Sequence, residues 1–174
     1  MGRKTRVYSR VSEASGMIAK ICEKHPKAFW AVTPASIAVM GVDNIERTEK
    51  AVAKQPVWSR MRNVKGVEQA IFQENNIQER YIIEVFWSDW NKWSDATRAA
   101  VLASHLFEIT PDVETKNSAD CSGFKILYKA LGVNWERETS VPNILSDGFE
   151  FDLDLRPGLA ELEAMDEGDD PDDI

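Results

Sequence analysis

The chain is poor in the residues that make metal and redox chemistry easy. Of its 174 residues only two are cysteines, Cys22 and Cys121, and only two are histidines, His25 and His105. The cysteines lack CxxC spacing and fall in different predicted helices, which argues for buried thiols and against a disulfide or a zinc knuckle. Two histidines exclude a centre built on three imidazoles of one chain. Long apolar runs are missing too: nothing approaches the roughly 18 residues of a membrane span. The basic opening MGRKTRVYSRVSEASG has no apolar signal-peptide core. Arg6 stands where a myristoylation motif needs Ser or Thr after Gly2. These absences predict a soluble intracellular protein with no membrane partner, and no internal repeat breaks it into smaller units.

What is present is a globular composition, 43% apolar with six tryptophans, at a length suited to one domain. The net charge of −8 is unevenly placed. Residues 161–174 hold eight acidic residues and no basic one, leaving 21 acidic against 21 basic in 1–160. The expected organisation is therefore a flexible basic N-terminus over 1–8, a folded domain over 9–155 and a disordered acidic tail over 156–174. Arg3, Lys4, Arg6 and Arg10, with Lys50, Lys54, Arg60, Arg62 and Lys65, offer a modest basic patch. The neutral body and the lack of a binding motif argue against nucleic acid as a partner.

Apolar periodicity predicts a helix from Ser9 to Lys24, stopped by His25-Pro26. It predicts a buried strand over 37–42, a charged loop or partly ordered connection over 43–54, and a loose helix over 57–72 interrupted by Gly66. The strongest strand is 81–87, where Glu84 alone is charged. A Trp-rich turn over 88–95 delivers the chain to an amphipathic helix over 95–109, capped by Ser94 or Asp95 and bearing His105 and Glu108. Trp87, Trp90 and Trp93 are expected to anchor this corner by packing. A second helix is expected over 121–131, with Asp120 as cap and Gly132 closing it. An irregular stretch over 133–145 should pack back on the core. Residues 149–155, alternating apolar and acidic, suit an edge strand or a binding segment.

This order, with Trp90, Trp93, Ser94, Thr97, Arg98, Ala100 and Val101 at the turn and Phe124, Tyr128, Leu131-Gly132 and Trp135 further on, resembles the phage metallopeptidases, a zincin-like family. The resemblance covers roughly 25–135 and implies an α+β, zincin-like domain: a small β-sheet packed against helices. It also implies a zinc site at H-E-L-x-H, where two histidines one helical turn apart hold the metal and the glutamate polarises its water. In this chain Ser104 stands at the first histidine, His105 at the glutamate, Glu108 at the second histidine and Ala119 at the downstream one. Asp120, beside that last position, is retained.

The resemblance therefore implies a remnant site at Ser104, His105, Glu108 and Asp120, with no cofactor expected. The leading expectation is a phage-encoded pseudoenzyme that binds a virion or host protein, in the host cytoplasm or on the virion. One alternative is a divergent zinc peptidase with a shifted site at His105 and Glu108, completed by Asp112, Asp120 or Cys121. Another is an inhibitor docking its acidic tail on a basic partner. Ser104 with His105 as a nucleophile–base pair is disfavoured, because helix neighbours point about 100° apart.

Overall fold

A computed structural model describes residues 5–112, 116–117 and 123–157. Among these the protein is a mixed α+β structure with one four-stranded sheet and six α-helices. The strands are β1 (Val7–Arg10), β2 (Ile37–Asp43), β3 (Ser59–Asn63) and β4 (Tyr81–Phe86), in spatial order β1-β2-β4-β3. β2 and β4 are parallel neighbours, while β1 and β3 run antiparallel at the edges. The helices are α1 (Ser12–Lys24), α2 (Glu49–Lys54), α3 (Gly66–Glu74), α4 (Trp87–Trp90), α5 (Asp95–Leu106) and α6 (Lys125–Leu131). No helix among the described residues is long and apolar enough to cross a membrane.

β4 is buried along its whole length because both sides of the sheet are covered at its centre. Tyr81, Ile83 and Val85 enter the main core with Ile18 and Ile21 of α1 and Leu102 and Leu106 of α5. Ile82 turns to the other face and joins Ala38 and Val64 in a smaller cluster against Phe72 of α3. Glu84 shares that second face and is 3% exposed. Arg60 answers it at 2.7 Å and Arg62 at 3.2 Å, and Arg62 continues to Glu68 on α3. These arginines, read from the sequence as part of a basic patch, are thus largely committed to neighbouring carboxylates, as Arg10 is to Glu79.

α5 is buried almost all round: Ala99, Ala100, Val101, Leu102 and Ala103 have no exposed surface. Ser94 caps it by accepting from the Thr97 amide at 3.1 Å, as expected for the residue before the first turn. The Trp corner is a set of anchors. Trp90 is fully buried and donates to Glu13 at 2.9 Å, and Trp87 donates to Ser9 at 2.7 Å. Arg98 lies over the Trp90 ring and donates to its carbonyl at 3.0 Å. α1, β1 and the start of α5 are fastened together by these three side chains.

Several expectations are corrected. Val7–Arg10 is an ordered strand, paired with Met40–Asp43 although all four of its residues are exposed; the ladder holds it where burial does not. The helix expected over 57–72 is strand β3 followed by α3, because Gly66 takes φ +61° and starts the helix there. Within β3 the alternation is real but inverted in appearance, since Arg60 and Arg62 face a buried glutamate. The connection over 43–54 contains α2, and the turn over 88–95 begins with the short helix α4. The second helix begins at Lys125; Asp120 and Cys121 lie outside the described residues, so the capping expectation does too.

Residues 149–155 form no strand, and Leu153–Leu155 is a 3₁₀ turn. Phe149 and Phe151 point inward and meet His25 edge-on at 5.8 and 4.9 Å, with Phe151 also against Phe29 and Phe107. The segment closes the core as an aromatic plug. Arg156 completes the closure by donating to the Lys27 carbonyl at 2.7 Å. The acidic tail from residue 158 lies outside the described residues.

Candidate functional site

Side-chain alternation along β3 decides what meets α5. Met61 belongs to the main core, so Ser59, two residues earlier, shares its face and points toward the helix, while Arg60 and Arg62 point away. On α5, His105 is the residue before the last, Leu106, and Glu108 follows three residues later in the turn just beyond the helix, close enough to meet it. The packing of β3 across α5 therefore joins residues 46 positions apart. Ser59 Oγ lies 2.8 Å from His105 Nε2, and His105 Nδ1 lies 2.6 Å from Glu108 Oε1.

The protonation pattern follows from the partners. Burial pushes the Glu108 carboxyl up, but the His105 hydrogen bond and the nearby His105 and Lys116 charges outweigh it, holding it below the ordinary carboxylate range. An ionised carboxylate only accepts, so Nδ1 of the ring carries the proton. With Nδ1 as the donor to Glu108, Nε2 is the ring nitrogen that can accept from the Ser59 hydroxyl. Lys116 reaches Glu108 Oε2 at 3.4 Å and donates to the Met61 carbonyl at 2.8 Å, tying the dyad to the edge of β3. Asn117 donates to the carbonyls of Phe107 and Ile109, satisfying acceptors just beyond the helix end.

These groups open onto a cleft of about 300 Å³. Its apolar wall is Phe124, Leu127, Tyr128 and Trp135 from α6 and the turn beyond it, and its polar wall is Ser59, His105, Glu108, Asn117 and Glu136. Burial pushes the Glu136 carboxyl up, only partly opposed by Arg137. Two carboxyls displaced in opposite directions thus share one cleft. Three larger depressions exist among the described residues: one beside Trp87 and Asp43, one between Thr33 and α3, and one over Arg60, Arg62, Glu68 and Glu84 on the second face of the sheet. None of them contains a histidine, and the hydrogen-bonded chain in the third, running from Arg60 through Glu84 and Arg62 to Glu68, consists of ion pairs with no hydroxyl or thiol nucleophile in it.

Of the residues expected at a remnant site, His105 and Glu108 are brought together and Ser104 is not. Ser104 Oγ donates to the Val101 carbonyl of its own helix at 2.7 Å, which turns it from the His105 chain although it edges the cleft. Asp112 is exposed and does not line the cleft, and Ala119, Asp120 and Cys121 lie outside the described residues. Among the described residues no group of three His, Cys, Asp or Glu side chains could hold a metal ion. Those residues do not fit a three-ligand zinc centre: His105 has both ring nitrogens engaged by side chains, and no third donor converges on it.

Ser59, Lys116 and Glu136 were not legible as site residues. The only sequence signal for Ser59 is its two-residue offset from Met61, which acquires meaning once 59–63 is known to be a strand. Comparison with family models, curated proteins and solved structures finds no match for the chain.

Proposed function

We propose that the protein is a phage-encoded relative of the zincin-like phage metallopeptidases that has lost zinc-dependent hydrolysis and works by binding a protein partner, virion or host, in the cleft beside α5. The observation that supports this reading is the state of His105. The imidazole is held between Ser59 and Glu108, so the side chains at two of the positions implied by the resemblance satisfy one another. A cleft floored by Phe124, Leu127, Tyr128 and Trp135 suits an apolar side chain of a partner, with His105 and Glu136 at its polar side. The scaffold positions that carry the resemblance, Trp90, Ser94 and Arg98, make packing and capping contacts that need no metal.

A photo-crosslinking amino acid at Tyr128, in the cleft, tests this during infection. The expected result is a crosslink to one defined protein that is absent when the same group sits at Gly16, an exposed position on α1. Absence of a Tyr128-dependent product, or peptide hydrolysis by purified protein that chelator abolishes, would overturn the reading.

A further inference from the structure

We propose that Ser59, His105 and Glu108 form a metal-free nucleophile relay, making the cleft reactive toward esters whose acyl group is small and apolar. This goes beyond the binding function above and rests only on its metal-free cleft. A serine nucleophile needs a base on its hydroxyl and a third group that fixes the base's tautomer. Both links are present at hydrogen-bond length, 2.8 and 2.6 Å, and each uses the ring nitrogen its role requires. Glu108 orients Nδ1–H, which leaves the Nε2 lone pair for the Ser59 proton. The arrangement is recognised by these roles, since the order of such residues along a chain differs between unrelated folds.

The strand supplies more than the hydroxyl. β3 is the last strand of the sheet, and Lys116 takes the Met61 carbonyl from the side away from β4. Main-chain groups alternate direction along an antiparallel strand, so those of Ser59 face the same open edge as those of Met61. The Ser59 amide thereby stands beside its own Oγ, where an oxyanion forming on an attacked carbonyl needs a donor. The apolar wall of Phe124, Leu127 and Trp135 receives the acyl group.

In the reaction, the Ser59 Oγ–H bond breaks, its proton passes to His105 Nε2, and an Oγ–C bond forms at the ester carbonyl. Collapse of the tetrahedral species breaks the ester C–O bond, and the leaving alcohol takes the proton from Nε2. A water molecule, deprotonated by the same nitrogen, then releases the carboxylic acid and restores Ser59. No oxidant, reductant or metal enters the balance.

The test treats chelator-washed, full-length protein with a fluorophosphonate probe, with p-nitrophenyl acetate as a second reagent, and locates the label by peptide mass spectrometry. The expected result is one phosphonylated residue, Ser59, with labelling lost in Ser59→Ala and slowed about 100-fold or more in His105→Gln, the usual scale for removing a general base. Glu108→Gln slows it less. Should Ser59→Ala fail to fold, Ser59→Cys replaces it, and its thiol must alkylate with iodoacetamide in a His105-dependent way. Folded, metal-free protein that takes no label would overturn the relay and leave the binding function standing. Label at Ser59 that is indifferent to His105→Gln would overturn it too. Stoichiometric metal in the purified protein would overturn both.

Discussion

The chain's two histidines mark two regions with similar burial and opposite character. His25 is 8% exposed and His105 is 7% exposed. His25 sits at the end of α1, where Nε2 donates to the Ile144 carbonyl at 2.7 Å and the ring edges meet Phe149 and Phe151. Burial, first of all, holds its pKa below the ordinary value; Lys24 pushes the same way, while the Ile144 carbonyl and Glu150 pull back. Among the described residues His105 has no aromatic neighbour of that kind, and it is bracketed by a hydroxyl and a carboxylate at a cleft wall. A histidine closed off by phenylalanines and a backbone carbonyl is a piece of the core. One placed between a potential nucleophile and an anion, with open space beside it, has the parts of a site.

The comparison can be broken by substitution, and the largest effect should come from the His25 corner. Phe151→Ala removes a ring that contacts His25, Phe29 and Phe107, and should cost about 3–5 kcal/mol in chemical denaturation. Labelling at Ser59 should persist under native conditions. A cost below about 1 kcal/mol would mean that the C-terminal segment does not close the core as described.

The second effect is at the cleft. His105→Gln loses a hydrogen bond to a charged group that is partly exposed, and should destabilise by about 1–2 kcal/mol. Ester reactivity should fall far more than stability does. Equal loss of stability at His25→Gln and His105→Gln, with no change in cleft chemistry, would erase the distinction between the two regions.

Acid should separate the histidines in another way. Because the folded pKa of His25 lies below its unfolded value of about 6.5, the unfolded chain takes the proton first. The contribution of neutral His25 is complete above about pH 6.5 and is lost as pH falls through the lower folded value. Denaturation midpoints measured between pH 7.5 and 5 should drop more steeply for wild type than for His25→Gln. Parallel curves would show that His25 is not held neutral by the fold.

The smallest effect is expected at Ser104→Ala. Among the described residues its hydroxyl bonds only to Val101 of its own helix, so stability should change by no more than about 0.5 kcal/mol and labelling not at all. A large loss of labelling would move the nucleophile to Ser104 and remove Ser59 from the site.

What could be read from the sequence follows from which interactions are local. α5 was visible because Ala99, Leu102, Ala103 and Leu106 repeat at helical spacing, and its cap and Trp corner lie within a few residues of it. β4 was visible as a dense β-branched run. β3 was hidden because its second face is ionic: Arg60 and Arg62 look solvent-exposed until Glu84 is placed opposite them by strand pairing. β1 was hidden because it buries nothing. The pairing of His105 with Glu108 is a three-residue relation across the end of α5 and could be anticipated. Ser59 depends on β3 crossing α5, a non-local contact with no periodic signature, so the third member of the chain could not be found from residue spacing.

The central claim is that the C-terminal end of α5 works without zinc, and metal content measured together with thermal unfolding tests it most directly. Purified full-length protein should carry no stoichiometric zinc and unfold at the same temperature with and without chelator. One zinc per chain, lost in His105→Ala and accompanied by a chelator-sensitive transition, would contradict the claim.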